Sequence, residues 1–336
     1  MAVTFGEQDY EFILNNQYYL KNIVESAILT DSLSNIAYKA EIKMVVTDDF
    51  PGIANGQAFR VSGVPLGGTT MVYLLHPGVV WEINSQNKGV KHLTATVYDK
   101  TIYLEKTEDE YLFPAGQTAD QRLKQYASDW GIPLDTIPGT GVLLAPTGTG
   151  ASHRGTVYSM LLSDIQETSM KGGTMYRPRI TENGLRLFVI GSNTTVWVLE
   201  NVEEIDQLRT LEGAITQVKV LGKETSGTKT PVLAIASAQT AQLGTLQKLV
   251  QNSKITTTAE AKAAATALLT GLLETFTVTS PDINIMRAGD AVVLNGMNLI
   301  ATDVSHTLGS PGHMTVQMAT SDYVRRKYYT NGNQSV

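Results

Sequence analysis

The chain has 336 residues, 42% of them hydrophobic and only 17% charged, with a formal net charge of −6 at pH 7. A sequence-independent nucleic-acid binder needs clustered Lys and Arg to release counterions from phosphate, and the one basic trio here, Arg325-Arg326-Lys327, reads as part of a solvated tail. The absence of cysteine excludes disulfide and thiolate chemistry, and no apolar run reaches the ~20 residues of a membrane helix.

The N-terminal text, MAVTFGEQDYEF, has neither a basic region nor an apolar core, so no signal peptide is expected. Residues 10–99 are strand-like, with short apolar runs at 41–46 and 58–61 punctuated by Gly, Pro and Asn. Residues 69–75 and 78–83 read as two strands joined by a His76-Pro77-Gly78 turn. Many short strands of this kind argue for an antiparallel barrel or sandwich.

Leu93, Ala95 and Val97 alternate with Thr94, Thr96 and Tyr98, the pattern of a half-buried strand, and residues 101–104 read as a second strand. Residues 107–116, opening on Glu108-Asp109-Glu110, read as a loop and a domain boundary. Thr118 and Gln121 then form a capping box for a helix whose apolar face is Leu123, Tyr126, Ala127 and Trp130, taken as core. Gly131 and Pro133 end it.

After the loop 138–150, Ser152 is the expected cap of a second helix reaching about Glu167. Asn183-Gly184 marks a hairpin between 174–180 and 185–190, and 196–199 adds a strand. Strands follow at 215–221 and 231–237. Helix is expected over 239–250 and 258–273, and strands at 276–279, 290–294, 298–304 and 314–318. The last residues are polar and read as frayed.

One internal echo stands out. Residues 56–63 and 289–296 share the pattern Gly-x-Ala-apolar-x-Val/Leu-x-Gly, which two copies of one barrel split by an insert would produce. The two octets are expected in equivalent strands.

No motif asks for catalysis. Gly148-Thr149-Gly150 with Gly155 fails the dinucleotide fingerprint, which would need glycine at His153; it fails the nucleotide P-loop because Thr156 stands where Lys belongs. His76, His92, His153, His306 and His313 are dispersed and offer no ligand pair at helical spacing. The pairs Asp48-Asp49 and Glu203-Glu204 are adjacent, so their side chains face apart. No catalytic, cofactor or metal residue is assigned, and no enzyme is expected.

Residues 93–133, with Tyr98-Asp99, Tyr103-Leu104, the 113–118 step and Gly131-Ile132, resemble the XkdQ/YqbQ-like phage tail proteins. These are the hub proteins of contractile tails and defective-prophage particles, related to the late control gene D proteins. The likeness covers roughly residues 58–221. Upstream it includes the strand Gly78 to Ile83, and downstream a helix from Arg154 and the Asn183-Gly184 hairpin.

The resemblance implies a mainly β fold with an α+β insert: two tail-tube-like antiparallel β-barrels, a small α/β domain and a helical insert. The corresponding units are 1–106 (first barrel), 107–201 (α/β domain), 202–237 with 276–322 (second barrel), 238–275 (helical insert) and 323–336 (flexible tail). It also implies a homotrimer in a virion or tail-like particle, assembled in the bacterial cytoplasm. Its partners would be a tail tube protein, a central spike protein and other baseplate proteins, with no specific nucleic-acid binding and no membrane segment. A mildly acidic channel would limit sticking to passing DNA.

The chief rival is a peptidoglycan-binding LysM-like module, since Ala115 to Thr118, a helix and Gly131-Ile132-Pro133 resemble its first half. That reading needs a second short helix and a closing strand within ~45 residues. A cell-wall hydrolase would need facing carboxylates or metal ligands.

Overall fold

Period-two burial builds the first half of a large sheet. The computed structural model describes residues 9–87, 89–147, 153–200, 202–224, 228–251 and 255–329. The first strands are β1 (Tyr10–Leu14), β2 (Tyr18–Tyr19), β3 (Val24–Ser32), β4 (Lys39–Val45), β5 (Ala58–Gly63), β6 (Val72–Asn87) and β7 (Lys91–Asp99). In β4, Ala40, Ile42 and Met44 are buried while Glu41 and Lys43 are exposed; in β7, Leu93, Ala95 and Val97 turn inward. Such alternation fixes register, because a one-residue slip exchanges the faces. The strands pair antiparallel in the order β2-β1-β5-β6-β7-β4-β3.

β6 is one strand, not two strands around a turn. The His76–Pro77 peptide is cis, and the β5–β6 register shifts between Phe59 and Val61 beside it. Proline brings no N–H to a ladder, and an irregular step is where a strand tolerates that loss. Gly78 serves close approach instead: a Cβ there would lie 2.4 Å from Leu75 Cδ2 and 2.5 Å from the Phe59 carbonyl oxygen.

A mixed segment follows: α1 (Ile102–Lys106), β8 (Glu108–Tyr111), α2 (Ala119–Asp129), β9 (His153–Thr156), α3 (Val157–Met170), β10 (Tyr176–Thr181) and β11 (Gly184–Val189). Residues 101–104, expected as strand, open a helix. Asp99 accepts the Thr101 N–H at 3.0 Å and turns the chain just past β7, and Ile102 and Leu104 bury in the core that α3 also lines. The acidic stretch expected as loop is β8, whose partner β9 lies too far along the chain for local pattern to reveal.

α2 starts where its cap predicts. Gln121 Oε1 accepts the Thr118 N–H at 3.0 Å, and Gly131 takes φ +61° after the helix. Leu123, Tyr126 and Ala127 are buried, but Trp130 is 44% exposed. Trp130 has φ −101° and ψ 9°, so the chain has left the helical spiral before the fourth apolar position is reached. α3 begins later than expected, with the Thr156 hydroxyl accepting the Ser159 N–H at 3.1 Å and Arg154 in β9; Ser152 lies outside the described residues. The β10–β11 hairpin forms where Asn183-Gly184 marks it, with residues 182–183 in the turn and Gly184 opening β11.

The remaining elements are β12 (Trp197–Leu199), β13 (Glu204–Thr210), β14 (Gln217–Leu221), β15 (Val232–Ser237), α4 (Thr240–Leu243), β16 (Gln247–Gln251), α5 (Thr258–Leu268), β17 (Leu273–Pro281), β18 (Ala291–Leu294), β19 (Met297–Leu308), β20 (His313–Ala319) and α6 (Ser321–Tyr329). β12-β18-β19-β20-β17-β13 form the second half of the sheet, and β19 pairs with β3 to join the halves. Among the described residues no pairing closes either half into a barrel.

β14 and β15, expected in the second barrel, form a separate sheet with β16 in the order β15-β14-β16. Val218 and Val220 pack there against Ala261, Ala264, Ala265 and Leu268 of α5, so this insert has its own core. Residues 239–250, expected as helix, hold the one-turn α4 and then β16. Leu273, expected in a helix, begins β17.

The C-terminal residues 323–329 are a docked helix rather than a tail. Tyr329 Oη donates to the Tyr176 carbonyl at 2.8 Å, and Arg325 donates to Ser169 Oγ at 2.8 Å and the Gly173 carbonyl at 3.0 Å. Arg326 reaches the Gly213 carbonyl. The basic trio is thus partly consumed by intramolecular bonds.

Candidate assembly interface

The two halves of the sheet repeat one plan. The order β1-β5-β6-β7-β4-β3 matches β12-β18-β19-β20-β17-β13, strand for strand and in the same chain order. The octets open the equivalent strands β5 and β18, as expected from the sequence. Phe59 and Val61 are buried as Val292 and Leu294 are, and Gly56 and Gly289 take φ +85° and +95°. The correspondence extends to an irregularity: β6 slips against β7 between Val80 and Glu82, and β19 slips against β20 between Ala301 and Asp303.

The copies also differ. β1 runs antiparallel to β5, whereas β12 runs parallel to β18. The closing glycines diverge, since Gly63 lies within β5 and Gly296 takes φ +77° in the tight β18–β19 turn.

The halves meet at β3 and β19, paired from Ser32–Asp303 to Ala27–Leu308. Asp31, on β3, is the centre of the junction and is fully buried. It accepts Arg177 Nη2 and Arg287 Nε at 2.6 Å each, and the Ala288 N–H at 3.2 Å. Arg177 also donates to the carbonyls of Ala288 and Ser32, both at 2.7 Å. Beside it Arg179 donates to Asp290 at 2.9 Å and lies 3.7 Å over the Phe188 ring. One carboxylate therefore binds the first half, the segment before β18, and β10. Burial pushes the Asp31 pKa up, but Arg177, Arg287 and Arg179 outweigh it and hold the carboxyl below its ordinary value.

Nearby Asp99 is buried as well, and there burial dominates. Its pKa is pushed up to about 6 despite the Thr101 hydrogen bond and the neighbouring Arg287. His306, next to the junction on β19, faces Asp282 at 2.6 Å through Nδ1 and the Met286 carbonyl at 2.9 Å through Nε2. No local pattern marks these residues, since Asp31 is separated from Arg177 by 146 positions and from Arg287 by 256.

The buried polar cluster of the mixed segment is a fastener. Asp164 on α3 accepts Arg122 Nη1 at 2.7 Å and Tyr126 Oη at 3.0 Å from α2, and all three residues are buried. His153 adjoins it at 3.4 Å. A cleft of about 920 Å³ beside β6 and β10 is lined by Arg60, His76 and Arg186 against Glu11, Asp99 and Glu182, charges of both signs.

The five histidines stay apart, and among the described residues no group of three potential metal ligands forms. Gly148, Thr149 and Gly150 lie outside the described residues. In the order β8-α2-β9-α3 the second helix is displaced from α2 by β9, and it runs 14 residues from Val157 to Met170 where the glycan-module reading needs a short one.

The matched family model, YQBQ-like, aligns with residues 29–323, from within β3 through the whole second sheet half into α6. The chain belongs to the YQBQ-like family.

Two Bacillus subtilis relatives align with parts of it. "Uncharacterized protein YqbQ" is 28% identical over 176 residues, 52% of each chain. "Phage-like element PBSX protein XkdQ" is 32% identical over 108 residues, 32% of each chain. The chain thus spans about half the length of one curated relative and a third of the other. In fold it is similar to the 43 kDa tail protein of prophage MuSo2 from Shewanella oneidensis. That match has a TM-score of 0.69 at 14% identity and covers 94% of this chain and 99% of that one. The fold neighbour is a tail protein.

Proposed function

We propose that this chain is a baseplate hub subunit of a contractile phage tail or tail-like particle, three copies of which join a six-fold tail tube to a three-fold central spike. The repeated strand plan carries this reading. Three chains with two similar halves each supply six similar units in a closed ring, while the assembly as a whole stays three-fold. One face of such a ring can meet six tube subunits and the other a trimeric spike.

On this reading each half, residues 1–106 and then β12, β13 and β17–β20, acts as a tube-like barrel. The segment 107–196 is a small α/β domain and 211–272 an insert. The insert occupies the place of the short β3–β4 connection of the first half. The low charged fraction of 17% suits a chain whose surface is largely taken up by neighbours in a virion or tail-like particle, assembled in the bacterial cytoplasm. Tube, spike and other baseplate proteins are its partners, and the net charge of −6 suits a channel that does not hold passing DNA.

Co-expression with the tube and spike proteins of the same prophage tests the reading. Co-purification of three copies of this chain with both partners is expected; binding to neither would contradict it.

A further inference from the structure

Besides the short terminal strands β2 and β12, two longer stretches of the large sheet have an unpaired edge among the described residues, and the internal repeat says how they fit. β13 ends the strand order and pairs with β17 alone, leaving its other edge bare from Glu204 to Thr210. Ile205 and Leu208 on it are 39% and 61% exposed. The last part of β6, residues 82–87, pairs with β7 on one edge and with no described strand on the other. Long bare edges are a hazard for a soluble protein unless something covers them, and neither stretch carries a proline.

The repeat identifies the cover. β6 is the counterpart of β19, and the shared irregularity sets the alignment, Glu82 with Asp303 and Asn87 with Leu308. β13 is the counterpart of β3. Pairing through β4–β7 and β17–β20 aligns Leu208 with Thr30 and Thr210 with Ser32. Within the chain, β19 and β3 are hydrogen-bonded to each other at these positions. Their counterparts, residues 82–87 of β6 and β13, lie apart in the sheet, each with one bare edge.

From this we infer that the occupant of each edge is a second copy of this chain: β13 of one copy adds antiparallel to residues 82–87 of the next. The register runs from Glu82 opposite Thr210 to Asn87 opposite Ile205. The junction between copies then repeats the junction within a copy, Ile83 taking the place of Val304 and Arg209 that of Asp31. Repeating one junction around the ring lets three copies close with no open edge at these stretches. Exposed Leu208 would gain a cross-strand neighbour in Asn84, as Thr30 has in Ser305. The inference rests on the hub reading and adds to it the strands and the register.

The natural absence of cysteine makes the test clean. Residues directly opposite across an antiparallel pair bring their Cβ atoms close enough for a disulfide, whereas a one-residue shift sends the side chains to opposite faces. The full-length double variant Asn84→Cys with Leu208→Cys is oxidised, both as purified chain and within assembled tail particles, alongside Asn84→Cys with Gln207→Cys. Native mass is read in parallel.

The expected result is covalent trimers from the first pair and none from the second. Trimers by mass with no cross-link from the first pair, or equal cross-linking from both, would overturn this pairing and leave the hub reading standing. Absence of self-association in solution and in particles would overturn both.

Discussion

Asp31 carries charge that water would otherwise solvate, and it repays that loss through two guanidinium groups. Removing one partner of a buried pair leaves the others uncompensated, which costs about 3–5 kcal/mol. Asp31→Asn is therefore expected to lower the unfolding free energy by several kcal/mol in denaturant titration, although its side chain is isosteric. The carboxyl's pKa is held below 3.8, so its contribution is present above that pH and lost as pH falls through the depressed value.

Asp99 has the opposite sign. Its folded pKa of about 6 lies above the ordinary 3.8, so the folded state binds more protons between these values. The stability it contributes is present below about pH 4 and lost as pH rises through about 6, on the order of 2–3 kcal/mol. Asp99→Asn is expected to lose this dependence, which unfolding titrations at pH 4 and pH 7 would show; an unchanged difference would contradict it. Neither role was legible in the sequence. Asp31 and Asp99 are ordinary strand residues until the fold brings arginines against the one and lets burial dominate at the other. Trp130 errs the other way, since its spacing is helical but its backbone is not.

At the scale of elements, what a residue does to its own neighbours was readable, and what a distant strand does was not. β7 alternates because each second side chain enters one core, and α2 begins at Thr118 because its cap chemistry is local. Residues 101–104 have strand-forming side chains, yet the Asp99 carboxylate turns them into a helix. β8 and β16 were missed because their partners, β9 and β14, are set by tertiary pairing.

Gly78 looked like part of a turn because glycine marks turns and close approaches alike. Its second Hα fits where a methyl cannot, so Gly78→Ala is expected to cost about 2–3 kcal/mol through forced separation of β5 and β6. In α5, Thr257 Oγ1 accepts the Glu260 N–H at 3.1 Å while Glu260 returns a bond to the Thr257 N–H at 3.0 Å. Thr257→Ala removes half of that box at about 1 kcal/mol. Because the insert has its own core, hydrogen exchange should speed up in α5 amides and stay unchanged in β19.

At the scale of the whole molecule, a short octet pointed to a repeat, and the strand order and the matched slip give it physical content. The sequence could not show that β3 and β19 knit the halves into one sheet, because strand edges carry no address. It also assigned β14 and β15 to the wrong sheet, since alternation tells which face is buried but not against what.

The ring of three is the central claim, and three-dimensional averaging of electron micrographs of the assembled tail tests it most directly. The account expects three copies of this chain between tube and spike, displaying six similar sheet halves at near-regular spacing. Six copies, or a single copy off the axis, would contradict it.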